Sequence, residues 1–263
     1  MKRILIFCLT LTFVLCTVCS VYAEETVAES AEDPDEIVEY VDLDADTSDY
    51  PAREAFIEDI IACGKRVFDD AGGKLQRAHY AGDIYVCKNF TVYVFRKTRD
   101  KYRIAEFPDV PLVIPDNLPK AECRPYSYGY AWKEIPPEKG NPFVIAAQFL
   151  YDKTLSKDEN MVLALEFMKQ VKRGDYFQMT AKYSHGTGAH SAVMISDYDP
   201  ETNTVHWMDS NMVGKKIDGI RYGKVQFDEE KDIEWWASAF CQKGRGATIY
   251  RLREDIIFAA GDG

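Results

Sequence analysis

The sequence predicts an α+β fold on three observations. Two segments in the first two thirds carry helical periodicity, the pattern switches to strands after Gly174, and hairpin-turn residues separate two of those strands. The first helix is expected from Glu54 to Asp70, where Phe56, Ile57, Ile60, Ile61, Val67 and Phe68 recur at helical spacing. Ala71-Gly72-Gly73 ends it. Met161, Val162, Leu165, Met168 and Val171 mark one face of a second helix, closed by Gly174. Strands are then expected over 176–183, 191–197 and 204–208, with a short one at 225–227, a helix over 233–240 and a final strand over 248–253. Asp199-Pro200-Glu201-Thr202-Asn203 supplies the turn between two of them. Between the helices, residues 100–157 are rich in proline and aromatic residues and read as an insertion of loops and short elements. No internal repeat is visible.

The ends of the chain set its organisation. Residues 1–23 have the parts of a cleavable signal peptide: Lys2 and Arg3, an apolar run to Val18, and Val21-Tyr22-Ala23 before Glu24. Residues 24–50 are acidic and poor in bulky apolar groups, so they read as a solvated linker. The folded domain is expected over 51–263, secreted or held in the cell envelope, with no membrane anchor after cleavage. The net charge of −11 misleads, because residues 1–50 hold 12 of the 43 acidic residues and 2 of the 32 basic ones. The nearly neutral remainder excludes a nucleic-acid footprint.

Of seven cysteines, Cys8, Cys16 and Cys19 lie in the leader, leaving Cys63, Cys87, Cys123 and Cys241. In an oxidising compartment that even number predicts two disulfides. A working thiolate at Cys87 would leave at most one, among Cys63, Cys123 and Cys241. The wide spacings contain no CxxC pair, so no metal site is expected on thiolates. His185 and His190 lack a third ligand at convincing spacing, while His79 and His206 read as structural.

A histidine becomes a general base when a neighbouring polar group orients its ring. The hairpin provides that arrangement. Its turn centres near residues 200–201, so paired positions sum to about 400 in a simple antiparallel register. His190, at the start of one strand, then faces Asp209-Ser210-Asn211 at the end of the next, and a slip of one residue decides which side chain meets the ring. The same three residues are also compatible with a turn. The candidate nucleophile, Cys87, lies in Gly82-Asp83-Ile84-Tyr85-Val86-Cys87-Lys88-Asn89-Phe90. Ile84, Val86, Phe90, Val92 and Val94 alternate as in a strand, and the pattern alone selects neither strand nor helix. Cys87 is equally compatible with a buried or bridged cysteine.

Gly174-Asp175-Tyr176-Phe177-Gln178, Ala189-His190-Ser191-Ala192-Val193 and Asp209-Ser210-Asn211 resemble, in order and spacing, the NlpC/P60 and CHAP groups of papain-like cysteine hydrolases. The resemblance covers residues 80–99 and 172–212. It implies a papain-like domain with N-terminal helices packed on an antiparallel sheet, and a helix starting at the nucleophile. It further implies Cys87 as nucleophile, His190 as base, and Asp209 or Asn211 as the orienting residue. The implied activity is amide hydrolysis in peptidoglycan, by an endopeptidase or amidase, without a cofactor. Val86 and Lys88 depart from the residues usual beside such a cysteine, with Tyr80 or Tyr85 as candidates to support the oxyanion. That departure also admits a non-catalytic binding module on the same fold. A host-directed cysteine protease or acyltransferase would use the same residues on another substrate.

Overall fold

A computed structural model describes residues 51–78, 84–114, 136–183, 186–214 and 216–261. The expected signal peptide, the linker, Cys123, His79, Tyr80 and His185 lie outside these residues.

Helix α1 spans Pro51–Ala71, and Phe56, Ile57 and Ile60 on its inner face are essentially fully buried. Each such side chain contributes about 1.5–3 kcal/mol through burial. Helix α2 spans Cys87–Thr98. The strand-like alternation therefore ends in a helix, for a reason visible in its buried set. Phe90, Thr91, Val94, Phe95 and Thr98 are buried at helical spacing. Thr98 and Thr91 satisfy their hydroxyls on the carbonyls of Val94 (2.8 Å) and Lys88 (3.0 Å). Two threonines thus complete an apolar stripe that their polarity hides. Helix α3 (Lys157–Met168) begins with a capping box, in which Ser156 accepts from the Glu159 N–H and the Glu159 side chain accepts from the Ser156 N–H. Such a cap contributes about 1 kcal/mol. Its buried face is Ala164, Phe167 and Met168, while Val162 of the expected face is exposed. Helix α4 (Ile233–Phe240) has the predicted bounds and is N-capped by Asp232.

Among the described residues nine strands complete the fold: β1 (Gln76–Arg77), β2 (Tyr102–Ile104), β3 (Phe143–Leu150), β4 (Tyr176–Tyr183), β5 (Gly186–Met194), β6 (Thr204–Met212), β7 (Tyr222–Asp232), β8 (Gly246–Leu252) and β9 (Phe258–Ala260). Seven form an antiparallel sheet in the order β1-β7-β6-β5-β4-β8-β3, and β2 pairs with β9 apart from it. The region 100–157 contributes to the main sheet. Its residues 143–150 are an edge strand of the main sheet, paired with β8.

Side chains alternate between the two faces of the sheet. Tyr176, Val193, Met208 and Val225 pack with α1 and α2. Phe177, Met179, Ala192, Met194 and Trp207 pack with α3 and α4. The chain is thus α+β with an antiparallel sheet between two pairs of helices. Gly174 connects the layers at φ +85°, where a Cβ would lie 2.8 Å from Ile57 of α1. Asp175 beside it is fully buried and takes two 2.8 Å bonds from Arg251, which fixes the start of β4 against β8. Among the described residues no helix is long and apolar enough to cross a membrane.

Candidate active site

The hairpin register is close to the one expected. Val193 pairs with Met208 and Met194 with Trp207. Those are the last β5–β6 pairs before the strands separate, whereas β5 stays paired with β4 along its length. His190 sits inside β5, not at its start, because Gly186-Thr187-Gly188 continue the strand. Asp209-Ser210-Asn211 likewise belong to β6 and form no turn.

Where β5 has parted from β6, the Ala189 carbonyl and the Ser191 N–H face the gap. The first turn of α2 occupies that gap. Cys87 is its first residue, with Sγ 3.9 Å from the Ala189 carbonyl oxygen. The N–H groups of Ser191 and Lys88 also donate to the sulfur. A backbone that would have bound a neighbouring strand thus serves the thiol.

The His190 ring is held on both sides. Nε2 is 2.8 Å from Asp209 Oδ2, which leaves Nδ1 for its hydrogen bond with Cys87. The ring stacks on Trp236, with centroids 6.1 Å apart and planes 28° apart. Asp209, 1% exposed, also accepts from Trp207 Nε1 (2.9 Å) and from Asn211 Nδ2 (3.1 Å), and Asn211 in turn donates to Gln226 Oε1 at 2.9 Å. Asp209 therefore meets the imidazole, while Asn211 braces Asp209 from behind.

This constellation shifts both reacting groups. Burial pushes the Cys87 thiol up, but the His190 hydrogen bond and charge, aided by the Ser191 and Lys88 N–H groups, outweigh it and bring the thiol below its usual value. Burial alone would lower His190. The hydrogen bond and charge of Asp209, followed by those of Cys87, outweigh it and raise the imidazole to about 10. The two directions together favour a thiolate beside an imidazolium. Cys63 and Cys241 contrast with this, since burial raises both thiols.

Cys63, Cys87 and Cys241 are all free thiols, which corrects the expectation of two disulfides. The buried positions of Cys63 and Cys241 place each in an apolar cluster, one on each side of the sheet. His206 bonds Asp228 Oδ1 at 2.7 Å. Sequence reasoning missed Trp207 and Gln226. Trp207 was legible, because it shares strand parity with Asp209. Gln226 was not, because a register shift in β6–β7 sets its position. Asp209 pairs with Gln226 but Trp207 with Glu229, and Asp228 in the bulge has φ +58°.

No protein family, curated protein or solved structure matches this chain.

Proposed function

We propose that the chain is a secreted or envelope-located cysteine hydrolase with a papain-like domain of the NlpC/P60 or CHAP type, cleaving an amide bond in peptidoglycan. The observation that carries this reading is the buried relay from the Cys87 sulfur through the His190 ring to Asp209, with its 2.8 Å His–Asp bond.

The chemistry follows from the relay. The Cys87 thiolate attacks the amide carbon, and its proton resides on His190 Nδ1. Asp209 holds the ring and stabilises its positive charge. Negative charge grows on the carbonyl oxygen as the tetrahedral intermediate forms. The Cys87 N–H, at the first position of α2, sits at the positive end of the helix dipole and can bind that oxygen. The hydrophobic Val86 at the N-cap adds no side-chain acceptor that would compete for it. His190 then gives its proton to the departing amine, leaving a thioester. Water, deprotonated by the same ring, attacks the thioester and frees Cys87.

Cys87→Ala and His190→Ala should each abolish release of soluble fragments from purified cell wall while circular dichroism stays native. Retained hydrolysis by either variant overturns the reading.

A further inference from the structure

We propose that the cavity beside His190 and Asp209 is a sugar subsite that seats one pyranose ring of a glycan strand. The proposal rests on the peptidoglycan reading above and names the part of the substrate that would sit there. The cavity holds about 270 Å³ and is bounded by residues of β4 to β7 and by Trp235 at the start of α4. That lies just below the range of about 300–1,000 Å³ usual for ligand pockets, a size suited to one ring rather than an extended chain.

Three features define its chemistry. The first is an aromatic wall. Trp235 is 48% exposed, and its ring stacks on Trp207 with centroids 5.8 Å apart and planes 17° apart. An exposed indole face backed by a stacked neighbour offers a rigid apolar platform beside the polar groups of the cavity. A flat indole face matches the C–H face of a pyranose. The second is a polar wall on β7. The bulge at Asp228 restores Glu229 and Lys231 to the face shared by Gln226 and Asp209, so all four border the cavity. Outside the β6–β7 ladder, neither the Glu229 nor the Lys231 side chain forms an ion pair or hydrogen bond among the described residues. Together with the Gln226 amide they offer acceptors and donors without net charge. Hydroxyl and acetamido groups need both, whereas an anion or cation would call for one sign. The third is position. His190 and Asp209 line the cavity and Cys87 does not, so an occupant lies beside the reacting atoms rather than over the sulfur. A sugar placed there would flank an amide bound at Cys87.

The test uses the full chain carrying Cys87→Ala, titrated with N-acetylglucosamine tetramer by calorimetry and by indole fluorescence. Saturable binding is expected, with the fluorescence changed by the sugar on Trp235. Adding Trp235→Ala should weaken it about tenfold, the usual scale for truncating an aromatic anchor. Glu229→Gln should weaken it as well. Trp235 is exposed, so the fold of its variant should be native by circular dichroism. The proposal is overturned if the tetramer does not bind, or if Trp235→Ala binds it unchanged. It is also overturned if a sugar-free stem peptide displaces the tetramer from this pocket. Sugar binding without any hydrolysis by the parent chain would support the subsite while defeating the cysteine hydrolase reading.

Discussion

Asp209→Asn isolates the charge in the relay from its shape. The amide can keep its oxygen toward His190 Nε2 and Trp207 Nε1, at the 2.8 and 2.9 Å positions now served by Oδ2. Its nitrogen then faces Asn211 Nδ2, which still has Gln226 Oε1 as acceptor. The fold should therefore persist, and the main loss is the negative charge beside the imidazolium. A hydrogen bond to a charged group contributes about 1.5–3 kcal/mol. The corresponding fall in kcat/KM is roughly ten- to 150-fold. The pH profile should change in a defined sense. Asp209 is the leading favourable influence that lifts His190 to about 10, so its loss lets burial pull the imidazole down and moves the alkaline limb to lower pH. A weaker imidazolium stabilises the Cys87 thiolate less, which moves the acid limb to higher pH. The active window thus narrows from both sides. Initial rates on purified cell-wall fragments across pH, with a thermal melt of each protein, measure both limbs. A variant with the parent rate and the parent limbs would refute the assigned role of Asp209.

Other perturbations test how the scaffold holds the site. Gly223→Ala places a Cβ 2.1 Å from the Tyr85 carbonyl oxygen, so the segment leading into Cys87 must move. It should cost about 1–3 kcal/mol of stability and lower kcat/KM, measured by denaturant titration and cell-wall turnover. Arg251→Ala leaves the fully buried Asp175 without its two 2.8 Å bonds. It should destabilise the protein by about 3–5 kcal/mol at neutral pH, lowering Tm by roughly 6–20 °C. Burial already raises Asp175 above its ordinary value despite Arg251, so protonation on acidification should restore part of that loss. Calorimetric melts at neutral and mildly acidic pH check the sign.

Much of the frame was legible because local chemistry and tertiary packing agree. The α4 bounds and β4 follow directly from the pattern, and the hairpin turn set the β5–β6 register within one residue of that observed. His190 and Asp209 were therefore found as a pair by counting from a turn. Helix α2 was hidden because Thr91 and Thr98 act as core residues once their hydroxyls bond backward to the helix. The length of β5 was hidden by its glycines, which pattern reasoning assigns to loops, although here they continue an antiparallel ladder to Gly186. The bracing of Asp209 by Asn211 and Gln226 depends on a bulge two strands away from His190. No spacing within a single segment encodes such a contact. The meeting of Cys87 with the free edge of β5 depends in turn on where β5 and β6 part, which is a tertiary event.

The central claim is a thiolate at Cys87 sustained by His190. Its most direct measurement is the pH dependence of Cys87 alkylation by iodoacetamide, followed on the Cys87 peptide by mass spectrometry in the parent and in His190→Ala. The parent thiol should titrate below the ordinary 9.0, and His190→Ala should raise it, because burial is then opposed by the Ser191 and Lys88 N–H groups without the imidazolium. A Cys87 that titrates at or above 9.0, or one indifferent to the loss of His190, would contradict it.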